Sequence, residues 1–173
     1  MGHIGINDPR IISDATPDSF WQPGTRLAQN DSNSDYVDLA NEERLGGHPI
    51  EEHVGKSVSY LKAKVREEAS RIVDRGDDFR GLSVGSFHSL SSANRLVNST
   101  IAKNRDIIDQ LLRGERQTAF FDAEFGSATG YEAYLPRYHA EPHMRETNSV
   151  GVFVLKDPFA KKGWRVQSAY PKR

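Results

Sequence analysis

Two histidines five residues apart are the side chains best suited to chemistry in this sequence. His48 and His53 lie in the segment GGHPIEEHVGKS, where Lys56 adds a positive charge. An imidazole titrates closer to neutrality than other side chains, so it can take a proton from a hydroxyl group and return it at physiological pH. The segment predicts either an acid–base site or two ordinary histidines near a helix end, and alone it leaves both interpretations open.

Metal and cofactor chemistry find little support in the sequence. A zinc site needs a third ligand, and the other concentration of histidines is His139 and His143 in RYHAEPHM. The chain has no Cys, and the spacing differs from the helical H-E-x-x-H pattern. Nucleotide-binding glycine patterns and the G-x-S-x-G motif are also absent. We therefore expect neither a metal nor a cofactor, with a zinc hydrolase built on His48, His53 and His139 or His143 as an alternative.

The C-terminal segment GWRVQSAYP is the second feature that could carry chemistry. Because side chains alternate along a strand, Trp164, Val166, Ser168 and Tyr170 are predicted to share one face, opposite Arg165, Gln167 and Ala169. This pattern indicates a strand whose start is buried and whose end places two hydroxyl groups in a cleft. The alternative is a plain sheet in which both hydroxyls are satisfied.

Charge divides the chain into two parts. The protein has 173 residues and a net charge of −1, yet residues 1–43 hold two basic and eight acidic side chains, which leaves 44–173 at +5. The first part is also rich in Asp, Asn, Ser, Pro and Gly, so we expect 1–43 to be an acidic linker or arm and 44–173 to be the compact domain. The last eighteen residues alone carry +5, which suits a phosphate backbone, although solvated terminal charge explains it equally well. No apolar run is long enough to span a bilayer, so we expect no membrane association of the isolated domain.

Periodicity predicts helices first and strands afterwards. A short helix begins at Pro49 and ends at Gly55, a second follows Ser57, and a long one runs from Ser89 to Gly114. Strands are predicted at LSVGSF, RQTAFFDAEF, TGYEAYL, SVGVFVLKD and GWRVQSAYP. We expect an α+β fold in which N-terminal helices pack against an antiparallel, curved sheet without disulfides.

These motifs together resemble a known family. GGH-x-I-x-x-HVGKS, the later helix pattern A-x-x-x-V-x-x-x-I-x-x-N-x-x-I-x-x-L-L and the closing G-W-R-V-x-S-A-Y-P are similar to the bacterial RNase A-like toxin domain. That domain forms the C-terminal end of contact-dependent growth-inhibition proteins and other polymorphic toxins. The resemblance covers about 45–173 and implies a disulfide-free ribonuclease fold.

The resemblance also implies site residues. It places the catalytic histidine at His53 and the hydroxyl partners at Ser168 and Tyr170. Lys64 stands where the family usually has Arg, which keeps the charge but loses the planar fork that holds two phosphate oxygens. We assign catalysis to these four residues and substrate binding to His48, Lys56 and Arg165, the last in the basic C-terminal hairpin.

The implied activity is metal-independent cleavage of RNA by its own 2′-OH, which leaves a 2′,3′-cyclic phosphate. The implied partners are RNA, with tRNA as a candidate, and a cognate immunity protein of acidic character. The chain would be secreted as the end of a larger toxin and act in the target cytoplasm, with 1–43 the remnant of a segment used to enter cells. The alternatives are a non-catalytic RNA- or partner-binding module on the same fold and an EndoU-type nuclease.

Overall fold

The structure, a computed structural model, describes residues 36–173, which contain five helices and six strands. The helices are α1 (Leu39–Arg44), α2 (Pro49–His53), α3 (Val58–Asp74), α4 (Leu90–Lys103) and α5 (Arg105–Leu112). The strands are β1 (Leu82–Ser86), β2 (Thr118–Glu124), β3 (Gly130–Leu135), β4 (His143–Thr147), β5 (Ser149–Lys156) and β6 (Trp164–Lys172). The predicted α+β class is confirmed. Strand β1 lies between α3 and α4, where LSVGSF was predicted, and the other five strands follow the last helix.

The strands form two antiparallel sheets rather than one. The first sheet has the order β1-β3-β4 and the second has the order β2-β5-β6. Each sheet is covered on one face by helices. On the first sheet, the packed residues of α3 are Leu61, Val65 and Ala69. Helices α4 and α5 pack on the second sheet and form with it the larger hydrophobic core, which includes Trp164.

Helices α2, α3 and α4 begin where the sequence predicts them. Pro49 occupies the first turn of α2, and the hydroxyl of Ser57 accepts from the Tyr60 backbone N–H at the start of α3. At α4, Ser89 and Ser92 form a reciprocal capping box. These caps satisfy backbone donors that have no partner inside a helix, which is why hydroxyl residues mark the helix starts.

The structure differs from the sequence-based prediction at one helix and one strand. The single helix expected between Ser89 and Gly114 is broken at Asn104, whose side-chain amide donates to the carbonyls of Thr100 and Asp122. Strand β4 was not predicted, because HMRET has a polar, half-exposed pattern without alternating apolar residues.

The compact unit begins at Val37, seven residues before the predicted boundary at 44. Val37 and Leu39 are fully buried in the larger core. Glu42 is 1% exposed, and its carboxylate accepts hydrogen bonds from the Val166 backbone N–H and from Lys162. The last residues of the supposed acidic arm are therefore part of the domain, while the prediction for residues 1–35 lies outside the described residues.

The two sheets meet at the end of β6. A Cβ atom on Gly85 of β1 would lie 2.1 Å from the carbonyl oxygen of Pro171, and one on Gly130 of β3 would lie 2.9 Å from the Pro171 ring. Such distances leave no room for a side chain, so glycine at both positions lets β6 lie directly against the first sheet. This close contact brings the end of β6 beside β1.

Candidate active site

His53 is fixed through its ring by β1 and through its backbone by Phe87, the residue that follows β1. The Phe87 backbone N–H donates to the carbonyl of His53, and the Gly55 backbone N–H donates to the carbonyl of Phe87. The His53 ring donates from Nδ1 to the Gly85 carbonyl oxygen at 2.9 Å. A carbonyl can only accept, so this bond places the proton of the neutral ring on Nδ1 and leaves Nε2 as the acceptor.

Tyr170 lies against that ring. The centroids of the His53 and Tyr170 rings are 5.3 Å apart, with an angle of 44° between their planes. Tyr170 is next to Pro171, the residue that contacts Gly85 and Gly130. The contact between the sheets therefore also determines the spacing of the two rings.

One carboxylate, that of Glu52, connects His53 to Lys64. Glu52 lies 3.7 Å from His53 Nε2 through one oxygen and 3.9 Å from Lys64 Nζ through the other. Lys64 also pairs with Glu68 of its own helix at 3.4 Å. The imidazole and the ammonium group thus flank one carboxylate, which occupies a position where an anionic group of a ligand would meet both.

Burial and charge shift the pKa values of these groups in different directions. Burial lowers the pKa of His53 below its usual 6.5, with the Gly85 hydrogen bond and the Glu52 charge acting against that shift. Burial alone would also lower the pKa of Lys64, but the carboxylates of Glu52, Glu67 and Glu68 raise it above 10.5. At neutral pH, His53 is therefore a neutral base and Lys64 is a cation.

Burial also raises the pKa of Tyr170 above its usual 10.0. Lys172 acts against the shift, and Asp122 adds to it. The phenol therefore stays protonated at neutral pH and is available as a hydrogen-bond donor.

A β-bulge changes which residues of β6 share a face. Phe153 pairs with Ser168 but Val154 pairs with Val166, so Gln167 is an extra residue in the strand. The prediction that Trp164, Val166, Ser168 and Tyr170 share one face is wrong for this reason. Trp164 and Val166 face the core with Ala169, whereas Ser168 and Tyr170 lie on the open face together with Arg165.

The predicted substrate-binding residues are less closely associated with His53. The His48 side chain is half exposed and lies 3.8 Å from a Glu51 oxygen. Lys56 lies over the Tyr60 ring, and its positive charge contributes to the lowered pKa of His53. Arg165 is 17% exposed and pairs with Asp157 at 3.2 Å.

Half of the six cations in the basic C-terminal segment 156–173 pair with carboxylates within the fold. Lys162 pairs with Glu42, Arg165 with Asp157 and Lys172 with Asp122. Among residues 36–173, three cations of this segment have no carboxylate partner: Lys156, Lys161 and Arg173. The excess of +5 counted from the sequence therefore overstates the charge available for a phosphate backbone.

Two residues at the site were not found by sequence reasoning. Glu52 directly precedes His53 and belongs to no recognisable sequence motif. Phe120 of β2 lies on the open face, with its ring 6.2 Å from that of Tyr170 and inclined by 24° to it. The alternation of exposed and buried residues in TAFFDAE could have indicated that Phe120 faces outward.

Residues 36–173 contain no group of three or more His, Asp or Glu side chains placed to hold a metal ion. Within that range, no helix has both the length and the apolar character needed to cross a membrane.

Comparison with known proteins gives two matches. The family model of the bacterial CdiA-CT RNAse A domain matches residues 47–171. The fold resembles a solved structure described as a CdiA-CT/CdiI complex from Y. kristensenii 33638, with a TM-score of 0.54 and 20% sequence identity. That match covers 73% of this chain and 100% of the other. No curated protein matches the chain.

Proposed function

We propose, from the premise that the chain belongs to the bacterial CdiA-CT RNAse A domain family, that it is an endoribonuclease toxin cleaving RNA through the 2′-OH. The observation that carries this proposal is the juxtaposition of three groups. The neutral imidazole of His53, with its Nε2 unprotonated, lies against the protonated phenol of Tyr170. The Glu52 carboxylate lies between this imidazole and the ammonium group of Lys64. These groups are a base, a hydroxyl donor and a cation, which is what phosphodiester transesterification requires without a metal.

The first step uses His53. Its Nε2 accepts the proton of the 2′-OH, and the 2′-oxygen forms a bond to phosphorus. Lowering the pKa of His53 keeps Nε2 unprotonated at neutral pH, which favours this role over that of acid. The Gly85 hydrogen bond holds the ring in the required tautomer.

Lys64 stabilises the negative charge that develops on the phosphorane oxygens. Its ammonium group replaces the Glu52 contact by a contact to phosphate when substrate enters. Ser168, on the same face as Tyr170, donates its hydroxyl to a phosphate oxygen.

Tyr170 supplies the proton to the departing 5′-oxygen as the phosphorus–O5′ bond breaks. The product then carries a 2′,3′-cyclic phosphate, and the proton held by His53 returns to the phenolate through solvent. Lys56 adds positive charge near His53, while His48 and Arg165 remain predicted contacts to more distant parts of the RNA.

The proposal includes the biological setting of the family. The similar solved structure is described as a complex of CdiA-CT with CdiI. By that analogy, we propose that this domain is secreted as the end of a larger toxin, acts on RNA in the cytoplasm of a target cell and is neutralised by a cognate immunity protein.

The test is cleavage of total tRNA by the purified full chain in EDTA. Wild-type protein and His139→Ala are expected to cleave, since His139 is exposed and lies beside Tyr138 rather than at the site. His53→Ala is expected to lose activity by a factor of 10² or more, on the order of a lost acid–base group. Cleavage that requires a divalent metal, or that survives His53→Ala, contradicts the proposal.

A further inference from the structure

The open face of the second sheet carries an exposed aromatic ring beside the candidate active site. Among residues 36–173, two phenylalanines are strongly exposed: Phe120 at 46% and Phe159 at 94%. Phe159 lies in the turn between β5 and β6, whereas Phe120 lies in the middle of β2. Phe120 thus presents nearly half of its surface to solvent in the middle of a strand, and its ring lies beside that of Tyr170.

Register places Phe120 in line with the proposed hydroxyl donors. Phe120, Phe153 and Ser168 are directly opposite one another across the three strands, so their side chains project from the same face. The next row consists of Asp122, Gly151 and Tyr170. The proposed catalytic hydroxyls and the exposed ring therefore belong to one continuous surface.

Gly151 determines where the Phe120 ring lies. A Cβ atom at Gly151 would lie 2.8 Å from Cζ of Phe120, so the ring crosses the space that a side chain would fill. Crossing that space brings Phe120 to its stacked position 6.2 Å from Tyr170, which lies 5.3 Å from His53. Three rings thus form a row that begins at the proposed base and ends at an exposed aromatic face.

The positive charge beside Phe120 is compensated within the fold. Lys172 lies 5.8 Å from the centre of the Phe120 ring and pairs with Asp122. Affinity at this position therefore has to come from contact with the ring rather than from free positive charge.

We propose that Phe120 is the base-stacking residue of the substrate site, holding an unpaired nucleobase next to the phosphate that is cleaved. This inference rests on the proposed function and names its substrate class as single-stranded RNA. Aromatic side chains stack on bases without regard to sequence, and a base within a duplex has no free face for such a contact.

The test compares nucleic-acid binding with and without bases. Affinity is measured by fluorescence anisotropy on the full chain with a labelled single-stranded deoxyoligonucleotide, which lacks the 2′-OH and is not cleaved by the proposed route. A matched abasic strand keeps the phosphates and removes the bases. Phe120→Leu is expected to weaken binding of the base-containing strand about ten-fold and to leave the abasic strand unchanged, in keeping with the loss of one stacked base.

Three further variants sharpen the comparison. Phe120→Trp should restore affinity, because it returns an aromatic face. Gly151→Ala should weaken binding of the base-containing strand, because its methyl group displaces the ring. Phe159→Leu is the matched control, an exposed phenylalanine outside the row, and should bind like wild type.

The outcomes separate this inference from the proposed function. If Phe120→Leu binds both strands as wild type does, or weakens both equally, the stacking role is overturned while cleavage by wild type leaves the function intact. If wild type binds bases through Phe120 but cleaves no RNA, the inference stands and the proposed function fails.

Discussion

The Nδ1 atom of His53 donates to the carbonyl oxygen of Gly85 at 2.9 Å. Gly85 is also the residue whose missing side chain admits the Pro171 carbonyl, next to Tyr170. One glycine therefore orients the proposed base and lets the strand that carries the proposed acid approach it. The geometry of the candidate site depends on how the two sheets meet.

Gly85→Ala is expected to destabilise the fold and reduce activity together. Its Cβ would lie 2.1 Å from a backbone oxygen, which cannot move without shifting β6. We expect a loss of about 1–3 kcal/mol, as for overpacked sites, measured by urea denaturation, and a larger loss of activity than the unfolded fraction explains. Gly126→Ala is the control, since a Cβ there meets nothing within 4 Å, and equal behaviour of the two variants would contradict this account.

The lowered pKa of His53 predicts a specific pH dependence. Activity should rise with pH through a window below 6.5 and level off near neutrality, because the base must be unprotonated. Stability changes in the same window. The unfolded chain binds the proton more readily than the folded one, so the free energy of unfolding decreases as pH falls from 6.5 through the folded pKa. NMR titration of the His53 ring measures the pKa directly, and a value above 6.5 would contradict the prediction.

Glu52→Gln should lower the pKa of His53 further. The Glu52 carboxylate lies 3.7 Å from Nε2 and favours the imidazolium, so its removal disfavours protonation. The same NMR titration provides the measurement. Glu51→Gln is the matched control at the neighbouring position, where the carboxylate lies beside His48 instead. An unchanged or higher His53 pKa in Glu52→Gln would show that this carboxylate does not act on the ring.

Lys64→Met is expected to reduce kcat by a factor on the order of 10² to 10³. This is the usual effect of losing one group that stabilises transition-state charge. Lys64→Arg should keep most of the activity, because it preserves the charge and adds a planar fork that can hold two phosphate oxygens. Steady-state kinetics on RNA in EDTA distinguish the two. Equal activity of Lys64→Met and wild type would remove Lys64 from the mechanism.

The α+β order, three helix starts and the His53 segment could be predicted because they depend on local signals. Pro49, Ser57 and Ser89 act on backbone groups within a few residues, so their effect is visible in the sequence. The break at Asn104 could not be predicted from the sequence, because the apolar period continues through it. The Asn104 side-chain amide donates to a backbone carbonyl of β2, which is a non-local contact.

Non-local pairing explains why some features of the candidate site could not be predicted from the sequence. The bulge at Gln167 depends on the register between β5 and β6, and that register decides that Tyr170 faces away from Trp164. The neutralisation of Lys162 by Glu42 likewise joins residues from opposite ends of the domain. The roles assigned to His53, Lys64, Ser168 and Tyr170 stay predictions until the variants are measured.

Cleavage of an oligonucleotide that carries a single ribose tests the central claim most directly. If the 2′-OH is the nucleophile, the full chain in EDTA should cut an otherwise deoxy strand only at that ribose and leave a 2′,3′-cyclic phosphate, identified by mass spectrometry. The fully deoxy strand should remain intact, and His53→Ala should cut neither. Cleavage of the fully deoxy strand, or a product that never carries the cyclic phosphate, would contradict the mechanism.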